Sequence, residues 1–196
     1  MDKSRFLQQL DFIYEMDKVK HIVRKTKLFD GSRLENDAEH SWTICLMAVL
    51  FREYSNEQID IGKVLMMLLI HDIVEIDAGD TFLYAPDRET AHWKEQAAAE
   101  RIFGILPEEQ SKGFLAAWEE FEARVTTEAK FASVFDRLEP VLQNYKNGGE
   151  TWKKNGITKQ MVLEKNKHLG EGSVEIWYFF LELIDMCVQK GYLEDR

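Results

Sequence analysis

Val64-Leu65-Met66-Met67-Leu68-Leu69-Ile70-His71-Asp72-Ile73-Val74-Glu75-Ile76-Asp77-Ala78-Gly79 is the stretch on which the reading of the fold turns. Its first seven residues are all apolar. One face of an amphipathic helix needs only three or four apolar positions in two turns, so this helix should be central and surrounded. Asp60 is placed to cap its start, and Asp77-Ala78-Gly79 to end it. The run falls far short of the roughly 20 residues that span a bilayer.

Outward from this centre the helical period recurs. Phe6, Leu7, Leu10, Ile13 and Tyr14 describe a first amphipathic helix, and a turn-rich stretch around Asp30-Gly31-Ser32 follows it. Ala38 to Tyr54 reads as a second helix with Trp42, Cys45, Leu46, Val49 and Leu50 facing inward. A loop with Thr81, Phe82 and Pro86 leads to a helix over 88–103, and Pro107 opens another to about Arg124. Thr127 to Tyr145 follows with Pro140 inside it, then Ile157 to Leu169 and Ser173 to Lys190. No stretch sustains a period of two, and no repeat or linker appears. The expectation is one all-α domain over 1–196, a bundle of seven to nine helices.

Composition narrows the function. The chain has 196 residues with 25 Lys+Arg against 35 Asp+Glu, a net charge of −10, and 45% apolar residues. That is globular and acidic, which argues against a nucleic-acid polymer or an anionic membrane as partner. Cys45 and Cys187 are two separate thiols without CxxC spacing, so they read as small core residues in a reducing, cytoplasmic setting. The charged N-terminus lacks an apolar leader segment.

Against this background His71-Asp72 is conspicuous, because it interrupts the most apolar helix. Burying a carboxylate there costs several kcal/mol unless it is paired or bound to a metal. Glu75 follows on roughly the same face. A divalent ion would accept imidazole and carboxylate together. Basic partners elsewhere would also satisfy the group. His40 in Glu39-His40-Ser41 and Asp136 in Phe135-Asp136-Arg137 are further polar residues among apolar neighbours. Taken singly, the first reads as a capping histidine and the second as a surface charge beside Arg137. Together the four offer two imidazoles and two carboxylates from three helices.

A His, then His-Asp, then a distant Asp, in that order, resembles the HD-domain metal-dependent phosphohydrolases. Glu35-Asn36-Asp37-Ala38-Glu39-His40-Ser41 and His71-Asp72-x-x-Glu75-x-x-x-Gly79-Asp80 resemble their 5′-deoxynucleotidase branch, and the similarity extends to Asp136-Arg137-Leu138-Glu139-Pro140. The resemblance implies the all-helical HD fold. It implies His40, His71, Asp72 and Asp136 as metal ligands, and Glu75 as the carboxylate that orients or deprotonates the attacking water. It further implies Asp80 as an acidic group near the sugar and that water, and Arg24 as the phosphate contact, with Lys25 or Lys27 as helpers. In one respect the chain departs from that branch, whose tryptophan directly after the arginine helps to select a sugar lacking the 2′-hydroxyl. Lys25 stands there.

The expected activity is therefore hydrolysis of (deoxy)nucleoside 5′-monophosphates, a small-molecule substrate, with one divalent transition metal. Nitrogen and oxygen ligands without thiolate suit Mn, Co, Ni, Fe or Zn. A phosphodiesterase or nucleoside di-/triphosphate hydrolase on the same fold is the alternative, and a non-catalytic helical module with a structural metal a distant one. His21, His92 and His168 read as solvated. The aromatic run Trp177 to Phe180 exceeds what one helix face needs for packing, and a homodimer could use the remainder.

Overall fold

A computed structural model describes residues 2–84 and 88–196, with only the backbone described for 88–92. Pro86 and His92 therefore lie outside what is described. Eleven α-helices are present among these residues, two of them single turns of four residues, together with three short 3-10 turns. They are α1 Lys3–Met16, α2 Asp37–Leu50, α3 Ile61–Ile70, α4 Glu75–Ala78, α5 Arg88–Phe103, α6 Glu108–Ala123, α7 Thr127–Lys146, α8 Glu150–Asn155, α9 Lys159–Asn166, α10 Leu169–Gly172 and α11 Val174–Gln189. The all-α expectation holds, with nine of the helices being six residues or longer.

Caps explain the helix starts. The Asp60 carboxylate accepts the N–H groups of Gly62 and Lys63, and the Thr126 and Ser173 hydroxyls accept those of Ala129 and Ile176. α2 opens with a full capping box, in which Asn36 and Glu39 each bond the other's backbone N–H. α7 is the axis of the fold. Ala129, Phe131, Val134, Phe135, Leu138 and Val141 on it join Ile44, Met67, Leu68, Phe180 and Ile184 in the larger core. A second core of Ile70, Ile73, Val74, Ile102, Phe103 and Trp118 lies on the α5–α6 side. The His71 turn stands where the two meet.

Several expectations are corrected. The chain carries a small antiparallel ribbon, β1 Val23–Lys27 with β2 Leu34–Asn36, irregular in register. Five and three residues are too short for a period of two to register in the sequence. Gly31 turns the ribbon at φ +72°, and a Cβ there would meet Asn147 Oδ1 at 2.7 Å. Asn147 in turn donates to the Leu28 carbonyl (2.9 Å) and pins the ribbon to α7.

α1 and α2 are turned round relative to the sequence reading. Phe12 is the buried residue of α1, whereas Leu7, Ile13 and Tyr14 are exposed. In α2 the buried stripe is His40, Ile44, Met47 and Ala48, and Trp42 is 68% exposed together with Leu46, Val49 and Leu50. Both stripes of α2 are largely apolar, so periodicity could not choose between them; packing against α3 and α7 did. The C-terminal stretch read as one helix from Ile157 is two, α9 and α10, and α8 precedes them.

Candidate metal centre

The central helix does not run on to Asp77. It ends at Ile70, and His71–Val74 form a 3-10 turn before α4. The local bonding explains the break. The His71 carbonyl is taken by the Trp118 indole N–H (3.2 Å), and the Glu75 N–H bonds the Asp72 carbonyl instead. The His71 Nδ1–H donates to the Leu68 carbonyl (2.9 Å), which anchors the ring and leaves Nε2 facing α7.

Four side chains converge there from α2, the His71 turn and α7. His71 Nε2 lies 3.1 Å from Asp72 Oδ2 and 3.6 Å from Asp136 Oδ1. His40 Nε2 lies 3.3 Å from Asp136 Oδ1 and 3.9 Å from Asp72 Oδ2. His40 and His71 are buried and the two aspartate side chains nearly so. Nε2 of His71 is buried without a hydrogen bond. The orphaned His71 nitrogen beside imidazole and carboxylate groups fits a divalent ion of the kind such ligands suit, and His40, His71 and Asp136 have ligand atoms within 4.8 Å of one another.

The electrostatics agree. Burial pushes the His71 imidazole down, but the Asp72 and Asp136 carboxylates overcome it and raise it to about 10. Burial also works against the two carboxylates. Even so, His71 and Arg24 hold Asp72 below the usual range, and Arg137 and the two histidines do the same for Asp136. This field favours positive charge at the convergence point, whether a proton or a metal ion.

Behind His40 stands a group that sequence reading did not single out. His40 Nδ1 is 3.2 Å from Glu139 Oε2 and 3.8 Å from Glu35 Oε2, and all three residues are buried. The Gln143 amide donates to the other Glu139 oxygen. A carboxylate behind a ligating imidazole sets its orientation and basicity. Glu139 lies one helical turn beyond Asp136, so its spacing on α7 was a signal that could have been read.

Glu75 and Asp80 line the same cleft, as do Arg24, Asp72, His71 and Asp136. Burial first, then the charges of Asp72, Asp37 and Asp80, lift the Glu75 carboxyl well above the ordinary glutamate range. Asp80 is raised too, chiefly by burial. Each keeps one buried oxygen without a hydrogen bond. Arg24 points inward because alternation along β1 turns Arg24 and Thr26 to the core and Val23 and Lys25 to solvent. Its Nη1 bonds Asp72 (2.7 Å) and Asp37 (3.2 Å), and its Nε is 3.8 Å from Glu35. Lys27 is taken up by Glu150 (2.8 Å), so it is no helper at the cleft. His21 is exposed as expected. His168 is not: its ring is half-buried, and burial together with Arg124 and Arg137 lowers it to about 4.

An all-helical fold that gathers a histidine, a His-Asp pair and a distant aspartate at one buried point defines a class of metal-site proteins. This chain belongs to the HD domain family, whose model matches residues 16–177. It is similar to human 5′-deoxynucleotidase HDDC2, 27% identical over 139 residues, which are 68% of this chain and 65% of that protein. The Dictyostelium discoideum protein of the same name is 26% identical over 181 residues, 87% of this chain and 85% of the relative. The match thus spans about two thirds of the length of the animal relatives. Among solved structures, one described as a predicted metal-dependent phosphohydrolase from Magnetospirillum magnetotacticum MS-1 superposes with a TM-score of 0.94 at 47% identity, covering 98% of this chain and 97% of the other. A conserved hypothetical protein from Pyrococcus furiosus, at 22% identity and a TM-score of 0.62, shares the fold.

Proposed function

We propose that residues 1–196 act as one domain that hydrolyses phosphate esters with a divalent metal, and that the substrates are (deoxy)nucleoside 5′-monophosphates. The observation that carries this reading is the convergence of His40, His71, Asp72 and Asp136 in a cleft that also holds a carboxylate, Glu75, raised well above the ordinary glutamate range by burial and its acidic neighbours. The names of the similar proteins support it.

His40, His71, Asp72 and Asp136 would hold the ion, which suits Mn, Co, Ni, Fe or Zn and supplies an activated water and charge neutralisation at phosphorus. Glu75 would take the water's proton, its proton affinity being raised by burial and by the charges of Asp72, Asp37 and Asp80. Asp80, which lines the same cleft, would order the sugar and the water. Arg24, balanced by Asp72 and Asp37, holds the phosphate on the Asp72 side. Glu139 and Gln143 keep the His40 ring in place.

No described helix is long and apolar enough to cross a membrane. A cytoplasmic setting agrees with the free thiols Cys45 and Cys187. The exposed stripe Trp42, Leu46, Val49 and Leu50, with Tyr178 and Phe179 on α11, supports a homodimer, which light scattering tests directly.

The experiment is phosphate release from ribo- and deoxyribonucleoside 5′-monophosphates with added Mn or Co, beside di- and triphosphates. Release from monophosphates that vanishes in Asp72→Ala and Glu75→Gln is expected. Turnover unaffected by chelation would overturn the metal assignment. Without the branch's tryptophan after Arg24, the ribo-to-deoxyribo ratio measures the sugar preference.

A further inference from the structure

Arg137, which in sequence reads with Asp136 as surface charge, has a side chain only 18% exposed and lines the cleft of about 280 Å³ that also contains His71, Asp72 and Asp136. Its one ion pair among the described residues is to Asp136 Oδ2, at 3.4 Å, and its Nε is buried without a hydrogen bond. Arg24 differs, being already committed to three carboxylates. The two guanidinium groups flank the ligand cluster, Arg24 on the Asp72 side and Arg137 on the Asp136 side.

Arg137 has company. Arg124 lies on the rim of the same cleft, at the turn between α6 and α7. It is the single non-glycine residue with positive φ (49°) among the described residues, a conformation that L-residues adopt at a cost. Its side chain forms no ion pair within the described part, though Glu122 shares the rim. Asn166, at the end of α9, also lines the wall, with its amide donating to the Val162 carbonyl (2.7 Å) and its Oδ1 buried and unbonded. His168 stands close enough to feel both arginines, and its buried Nε2 has no partner. Two guanidinium groups with donors to spare on one cleft wall, Arg137 with its unbonded Nε and Arg124 without an ion pair among the described residues, stand out in a chain of net charge −10.

We propose that Arg137 and Arg124 form a second anion subsite on the Asp136 side of the cleft, so that a nucleotide carrying a second phosphate besides the one hydrolysed binds more tightly than the plain monophosphate. The proposal rests on the phosphohydrolase reading above and extends its substrate class to nucleotides with a second phosphate. A guanidinium fork recognises phosphate oxygens through paired N–H donors, and in a partly dehydrated cleft this contact is strong.

The test compares a deoxynucleoside 5′-monophosphate with its 3′,5′-bisphosphate and 5′-diphosphate, using metal-loaded full-length protein and steady-state phosphate release. For the wild type, the second phosphate should lower KM at least tenfold in one of the two positions, and the two arms tell which. Arg124→Gln, at an exposed site, and Arg137→Gln should each raise that KM about tenfold with kcat within twofold. The advantage of the second phosphate should disappear in the double variant. Equal KM for all three substrates in the wild type overturns the proposal, as does an equal loss in both variants for mono- and bisphosphate alike. Inorganic pyrophosphate, titrated calorimetrically into wild type and Arg124→Gln, reads the subsite without a nucleoside. Phosphate release from the monophosphate reports separately on the nucleotidase reading. Pyrophosphate binding unaffected by Arg124→Gln counts against the subsite whatever the turnover assay gives.

Discussion

Glu139→Gln isolates the role of the carboxylate behind His40. Glu139 is fully buried, 3.2 Å from His40 Nδ1, and held from its other oxygen by Gln143. The substitution keeps the volume and one acceptor oxygen and removes the charge. Partners that orient a ligating histidine are typically worth 10–100-fold in metal affinity, which is about 1.4–2.7 kcal/mol. With the hydrogen bond retained, Glu139→Gln should fall near the lower end, about tenfold. Glu139→Leu, which removes the acceptor as well, should approach a hundredfold. The metal-free protein should respond with the opposite sign. Glu35 beside it has a carboxyl raised to about 7, first by burial and then by the Glu139 charge. Removing that charge relieves the repulsion, so the thermal midpoint of Glu139→Gln in excess chelator should hold or rise. Competition titration against a chromophoric chelator measures the affinity, and calorimetry measures the midpoint. Unchanged metal affinity in both variants would refute the reasoning, as would a metal-free midpoint that falls with the affinity.

Three further outcomes are expected. Metal at a hundredfold excess over its dissociation constant stabilises by about 2.7 kcal/mol, and at roughly 2–4 °C per kcal/mol for a chain of this size the midpoint should drop by about 5–11 °C on chelation. An unmoved midpoint with every transition metal tried would argue against the site. Gly149→Ala should cost about 3 kcal/mol or more in urea unfolding, because Gly149 has φ +72° and a Cβ would lie 2.0 Å from the Tyr192 carbonyl oxygen. His168, lowered from 6.5 to about 4, stays neutral in the native state while the unfolded chain takes up a proton. Its contribution to stability is thus complete above about pH 6.5 and lost as pH falls toward 4, at most about 3 kcal/mol. Plotted against His168→Gln over that window, the difference in unfolding free energy should shrink; a flat difference would contradict the burial argument.

Much of this protein was legible in one dimension because the signals are local. Asp60, Thr126 and Ser173 cap helices because a short side-chain oxygen reaches the free N–H groups of the next turn, wherever the rest of the chain lies. A His-Asp pair after seven apolar residues marks a buried polar group that needs a partner, again without reference to distant residues. The helical class and the ordered pattern of His40, His71-Asp72 and Asp136 were therefore available from the residues alone.

Other features depended on neighbours far away in the chain. α2 has two apolar stripes, and its inward face is the one that carries His40 because α3 and α7 pack there; Trp42 lost that competition. The break after Ile70 needs the Trp118 indole, 47 residues on, to take the His71 carbonyl. Arg137 looks like a surface residue in sequence, yet its side chain is largely buried and lines the cleft that Arg124 and Asn166, from other elements, also line. Glu75 is an ordinary glutamate until Asp72, Asp37 and Asp80 surround it in a buried cleft. Helical period, caps and ligand types are properties of residues and their near neighbours, so the sequence by itself determined them. Facing, burial and proton affinity depend on the field and packing of the whole molecule, so only the tertiary structure decided those.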